Sequence, residues 1–140
     1  ERIRMKMSLA EPGLPAVETF VRNHIALLID NGHLARMIIR ELLSFDAGDG
    51  MAASRDFAEV FGALRDDMLR ALSSAQARGH IRDVDLLQTI VSIVSLDIFY
   101  FLGKPLVKFI FPDNDLERFE AQRIDHVVDL LMNGLRKKQE

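Results

Sequence analysis

The stretch DLLQTIVSIVSLDIFYFLG, Asp85 to Gly103, decides the fold. Asp85 and Gln88 stand at capping-box spacing, which starts a helix at Leu86. Between Leu86 and Leu102 the single charge is Asp97, and apolar residues run most of the way round the helical wheel. The length is nearly that of a membrane span. Gln88, Thr89, Ser92, Ser95 and Asp97 argue against one, because the aspartate alone costs about 2.5–3.5 kcal/mol near a bilayer centre. A helix buried on two sides is the better account, and no membrane is expected as a partner.

The segments on either side carry helical period as well. Pro15 suits the first turn of a helix on which Val17, Phe20, Val21, His24, Ile25, Leu27 and Leu28 share a face. Asp30-Asn31-Gly32 ends it, with Gly32 expected as a left-handed cap. Leu34, Ile38, Leu42 and Phe45 mark the next helix, with Arg36 and Arg40 opposite. Ser54 caps a third, striped by Phe57, Phe61, Leu64, Met68, Leu72 and Ala75 and ended near Gly79. After Gly103, Pro105 and Pro112 bracket a short apolar piece, Leu106 to Phe111. Asp113-Asn114-Asp115 caps a last long helix from Leu116 to about Lys138, whose apolar arc includes Ile124, Val127, Val128, Leu131, Met132 and Leu135. With a short opening segment, Arg2 to Ala10, these make an all-α bundle of about six helices in one domain, residues 1–140.

Composition narrows the function. The chain has 140 residues, 49% of them apolar, and no cysteine. Thiol chemistry, disulfides and cysteine metal sites are closed to it. The net charge of −3 is scattered, which argues against a nucleic-acid surface on this segment. The run Arg136-Lys137-Lys138 reads as a complement to a helix dipole. A mean hydropathy of +0.07 is high for a small soluble domain, so a subunit interface or a ligand cavity is expected to take up the surplus.

No catalytic constellation is present: no phosphate-binding glycine loop, no nucleophile elbow, no H-E-x-x-H. The four histidines form no ligand pair on one helix face, and neither metal nor cofactor is expected. Two polar residues stand in apolar faces. His24 is either a core histidine satisfied by a neighbour or a polar group turned to a cavity. Asp97 needs a cationic or hydrogen-bonding partner, since a lone buried carboxylate costs several kcal/mol. Alternatively it orients a ligand in an apolar pocket.

Three stretches resemble the C-terminal regulatory domain of the tetracycline-repressor (TetR) family. Ala35-Arg36-Met37-Ile38-Ile39-Arg40-Glu41-Leu42 is similar to the run on the family's sixth helix. The turn from Ala77 to Asp85 is similar to the one before its eighth helix. Ile124 to Leu135 resembles the closing ninth helix. The resemblance implies a homodimer, with the last two long helices of each subunit forming a four-helix bundle. It implies a small-molecule effector held by the earlier helices, and operator DNA read only through an N-terminal helix-turn-helix not present in this sequence, which begins at Glu1. On wheel geometry the expected dimer face is Val91, Ser95, Ile98 and Leu102 with Val128, Leu131, Met132 and Leu135. The expected pocket is His24, Phe61, Met68, Asp97, Tyr100 and Phe101, suited to an apolar body with a polar or cationic group. A bacterial, cytoplasmic repressor is the implied setting. The competing reading is a helical protein-interaction module with no pocket.

Overall fold

The computed structural model describes residues 13–44 and 55–138, with side-chain detail from residue 62 in the second span. Among the described residues there are five helices and no β-sheet: α1 (Leu14–Asp30), α2 (Gly32–Ser44), α3 (Arg55–Ala77), α4 (Leu86–Ile110) and α5 (Leu116–Leu135). The all-α expectation holds. The expected segment Arg2 to Ala10, the Ser54 cap and Phe45 lie outside the described residues.

Several boundaries follow from the capping chemistry. Pro15 sits in the first turn of α1, where its missing N–H breaks no helical bond. Asp85 caps α4 by accepting from the Gln88 amide at 2.8 Å. Asp115 caps α5 by accepting from the amides of Glu117 and Arg118 at 3.1 and 3.2 Å. Gly79 takes φ +71° just past α3, the left-handed conformation that closes a helix without a Cβ clash.

Four expectations are corrected. Gly32 is not a left-handed cap. Asn31 ends α1 at φ −128° and ψ 61°, its amide bonded to the Leu27 carbonyl, and Gly32 opens α2 directly. Leu106 to Phe111 is not a separate piece, because α4 runs on through Pro105 to Ile110. The missing Pro105 N–H removes one helical bond. The turns on its N-terminal side are pinned to α5, with Lys104 Nζ 2.5 Å from Glu120 Oε1 and the Tyr100 hydroxyl donating to the same oxygen at 3.1 Å. The buried line of α2 is Ala35 and Ile39, one residue round from the expected Leu34–Ile38–Leu42 face. Small Ala35 is the residue that lets α2 close onto the bundle. Finally, Arg136 to Lys138 lie past the end of α5. Arg136 forms a β-bridge with Ile81, and the Arg82 amide donates to the Leu135 carbonyl at 2.9 Å.

α1 and α4 are the two central helices, each packed against every other helix. The main core lies between α1, α3, α4 and α5, around Phe20, Val21, Leu72, Ala75, Ile93 and Val127, all 1% exposed or less. Each large apolar side chain buried there contributes about 1.5–3 kcal/mol. A second cluster of Leu28, Ala35, Ile39 and Ile98 holds α2 against α4. At the surface Arg22 ties α1 to α5, donating to Asp125 at 2.7 Å and to Glu18 at 2.9 Å.

Gly13 starts α1 at φ +112°, and a Cβ there would stand 3.1 Å from His80 Nδ1. The backbone angle is strained for any side chain, and the His80 ring would have to give by a few tenths of an ångström. Gly13→Ala is expected to cost about 1–3 kcal/mol, measured as a lowered urea midpoint.

Candidate functional site

His24 is placed on α1 by the apolar stripe in which it sits, and Asp97 on α4 by its inward bearing near Ile90 and Ile93. The two side chains meet in the bundle interior. His24 Nδ1 lies 2.5 Å from Asp97 Oδ2, and the residues are 5% and 1% exposed. One proton between these atoms satisfies both, either as a ring N–H donating to carboxylate or as a carboxyl O–H donating to the ring. Phe20, one turn earlier on α1, stacks on the imidazole with centroids 5.6 Å apart. The Asp97 Oδ1 atom is buried and has no hydrogen-bond partner among the described residues. It is an acceptor held ready in an apolar core. Burial pushes the Asp97 carboxyl above its ordinary pKa, against the opposing pull of the His24 hydrogen bond and charge and of the Arg123 charge.

The other expected pocket residues separate. Met68 lines a seam between α1 and α3 with Val17, Phe20, Ala71 and Leu72, too tight to hold a water molecule. It reaches the pair through Phe20. Tyr100 turns instead toward α5, edge-on to Phe101 at 5.3 Å and tilted against Phe119 at 5.4 Å. Burial pushes the Tyr100 phenol up to about 12, reinforced by the charge and hydrogen bond of Glu120 and opposed by Arg123. The Arg123 guanidinium lies 5.4 Å from the Tyr100 ring centroid and donates to the Leu96 carbonyl. Phe101 packs on the cluster that seats α2. The Phe61 side chain lies outside the described residues.

The expected dimer residues also divide. Val91 and Leu102 are 54% and 51% exposed, and Ser95 is exposed. Ile98, Val128, Met132 and Leu135 are buried within the subunit, and Leu131 is partly buried against its core. In their place the outer side of α4 exposes Leu87, Phe99, Leu106, Phe109 and Ile110, joined by Leu130 of α5. The last three on α4 carry no helical signal on a wheel, because Pro105 reads locally as a break. Glu120, Arg123 and Lys104 carry none either, because long-range polar partners leave no local periodic signal. By length and composition α4 is apolar enough to cross a membrane; here it is the helix on which the other four pack.

Between the N-terminal end of α4 and the C-terminal end of α5 is an open groove of about 500 Å³, lined by Gln88, Thr89, Ser92, Leu130, Leu131 and Gly134 among others. Among the described residues no group of His, Asp and Glu is arranged to hold a metal ion.

Comparison with known proteins gives one result. A family model described as a tetracyclin repressor-like C-terminal domain matches residues 14–131. No curated protein and no solved structure matches the chain.

Two outcomes test the buried pair. His24→Leu strands the carboxylate and is expected to cost about 3–5 kcal/mol, while replacing both residues by leucine recovers most of it, read by chemical denaturation. The raised Asp97 pKa means that the folded chain binds this proton more tightly than the unfolded one. Its contribution is therefore full at low pH and is lost as pH rises from the ordinary carboxylate range through the raised value. Asp97→Asn has no such proton, so its stability relative to the parent is expected to rise with pH across that window in urea titrations.

Proposed function

The chain belongs to the tetracyclin repressor-like C-terminal domain family, and from that premise we propose that it is the ligand-sensing and homodimerising domain of a bacterial, cytoplasmic transcription regulator. The observation that carries this reading is the outer side of α4. Val91, Phe99, Leu102 and Leu106 are each more than half exposed on one long helix that already packs on four others inside the subunit. A monomer seldom leaves so long an apolar face in water. A second copy covers it most economically, because a two-fold contact presents the same face to itself.

The effector reading rests on the His24–Asp97 pair. An orphaned acceptor inside an apolar bundle favours a ligand that brings a hydrogen-bond donor or a cation on an apolar body. Such a ligand separates α1 from the α3 seam to reach Oδ1. It shifts the domain between two arrangements only by the difference in its affinity for them. DNA would be contacted by a separate helix-turn-helix domain, whose spacing in the dimer follows the arrangement of this one. Release from the operator on effector binding is the mode proposed. No catalytic step is assigned to any residue.

The tightness of the seam beside Met68 favours a second reading, in which the chain is an interaction module that binds no small molecule. A titration separates the two. Under the first, a long-chain alkylammonium ion raises the melting temperature of the parent and not of Asp97→Leu, while the matched alcohol acts more weakly on both. Equal shifts for parent and variant would remove Asp97 from the site. For the dimer, sedimentation at micromolar concentration is expected to give twice the chain mass, and Leu102→Asp to give the monomer with its helical circular dichroism retained.

A further inference from the structure

The pair between α1 and α4 holds its charge in an apolar interior. Asp97 is 1% and His24 5% exposed, and their facing atoms are 2.5 Å apart. Net charge is costly in such a setting, so the sum over the pair decides which states are accessible. Two states sum to zero. In one a carboxyl group donates from Oδ2 to an uncharged imidazole. In the other a carboxylate accepts from an imidazolium. They differ only in where one proton sits across the contact. Removing one proton from either leaves a carboxylate beside an uncharged ring, and a net negative charge in the core.

The surrounding helices leave that sum to the pair. The buried residues of α2 are Ala35 and Ile39, and those described on α3 are Met68, Ala71, Leu72 and Ala75, all without charge. On α1, Arg22 is bonded to Glu18 and Asp125 at the surface. On α4, the Tyr100 hydroxyl is committed to Glu120 of α5. The charge of Arg123 on α5 reaches Asp97, but its guanidinium is held by the Leu96 carbonyl and the Tyr100 ring. Oδ1 of Asp97 accepts from no group among the described residues.

We propose that a proton and a cationic effector compete for this pair, one proton leaving the protein for each cation that reaches Asp97 Oδ1. This rests on the effector reading above and deepens it, by giving the cation a competitor and separating it from neutral donors. The exchange conserves charge. The ligand brings one positive charge to Oδ1. Nδ1 takes the proton shared with Oδ2, the ring gives up its Nε2 proton, and solvent receives it. Asp97 is left as a carboxylate, with Oδ2 accepting from Nδ1–H and Oδ1 accepting from an N–H of the ligand. A neutral donor adds no charge and displaces no proton, because Oδ1 of the uncharged carboxyl group accepts from it as it stands. The direction with pH follows from the raised Asp97 value. Below that value the pair holds the competing proton. Affinity for a cation therefore rises with pH and levels off once the raised value is passed.

Calorimetric titration of the unaltered protein with octylammonium chloride and with octanol tests this, at each pH where circular dichroism shows the helices intact. The octylammonium dissociation constant is expected to fall about tenfold per pH unit on the steep part of the curve. In two buffers of unlike ionisation heat, its binding heat is expected to differ by that of nearly one proton. Octanol is expected to show neither effect. Asp97→Asn has no such proton to release, and is expected to bind octylammonium more weakly and equally at every pH. The two-buffer comparison on the parent stands whether or not this variant folds. If octylammonium binds the parent without proton release at any pH, or more tightly as pH falls, the competition is overturned. Loss of that binding in Asp97→Asn would then keep the effector site. If the parent does not bind octylammonium, or a folded Asp97→Asn binds it as the parent does, the competition and the effector reading fail together.

Discussion

The contact between His24 and Asp97 is the constraint around which the bundle is built. It joins α1 to α4, the two helices that touch all the others. An aspartate that is 1% exposed is tolerated only with a partner, because desolvation acts strongly against the charged form. The imidazole supplies that partner, and Phe20 holds the ring flat from the other side. Apolar contacts alone would let α1 slide or rotate on α4 by a fraction of a turn at modest cost. A hydrogen bond of 2.5 Å between two short side chains permits one register. The same contact leaves one carboxylate oxygen unsatisfied, so the feature that fixes the register also leaves an acceptor in the apolar interior.

α4 then has two lives. Its inner side, with Ile90, Ile93, Asp97 and Tyr100, completes the core. Its outer side carries large apolar side chains, Val91, Phe99, Leu102 and Leu106 among them, that the described residues leave more than half exposed. Near Tyr100, α5 fastens it through Glu120, Lys104 and Arg123. These polar links lie outside the main core and support a helix that must carry Pro105. On the function proposed above the division has a sense, an interior to sense with and an exterior to assemble with.

Much of this architecture was legible in the chain. Asp85 and Asp115 announce α4 and α5 because a cap is local: one side chain answers amides two or three residues away. The stripe on α1 named six of its seven buried residues, Ala16 being the one missed, because α1 packs on every other helix and needs a broad apolar arc. The readings that failed concern competition between local and distant forces. Gly32 can adopt a left-handed cap, but α2 follows so closely that it serves as a helix start. Pro105 disfavours a helix locally, but contacts to α5 carry the helix past it. The Leu34–Ile38–Leu42 side of α2, half-buried at Leu34 and Ile38 and exposed at Leu42, looked like its core face because larger residues weigh more on a wheel, whereas the buried line runs through Ala35 and Ile39.

Helicity, most helix starts and the standing of His24 and Asp97 as polar residues in apolar faces are written in the chain, because they depend on residues within a turn or two of one another. That the two meet is a property of the packed bundle, because they are 73 positions apart and no periodic pattern pairs them. The bundle likewise decides that Ile98, Val128, Met132 and Leu135 are consumed inside the subunit while Phe99, Leu106 and Ile110 are left outside. Apolar residues on a helix buried from two sides look alike in sequence. Which side faces a neighbour is set by where the other helices lie.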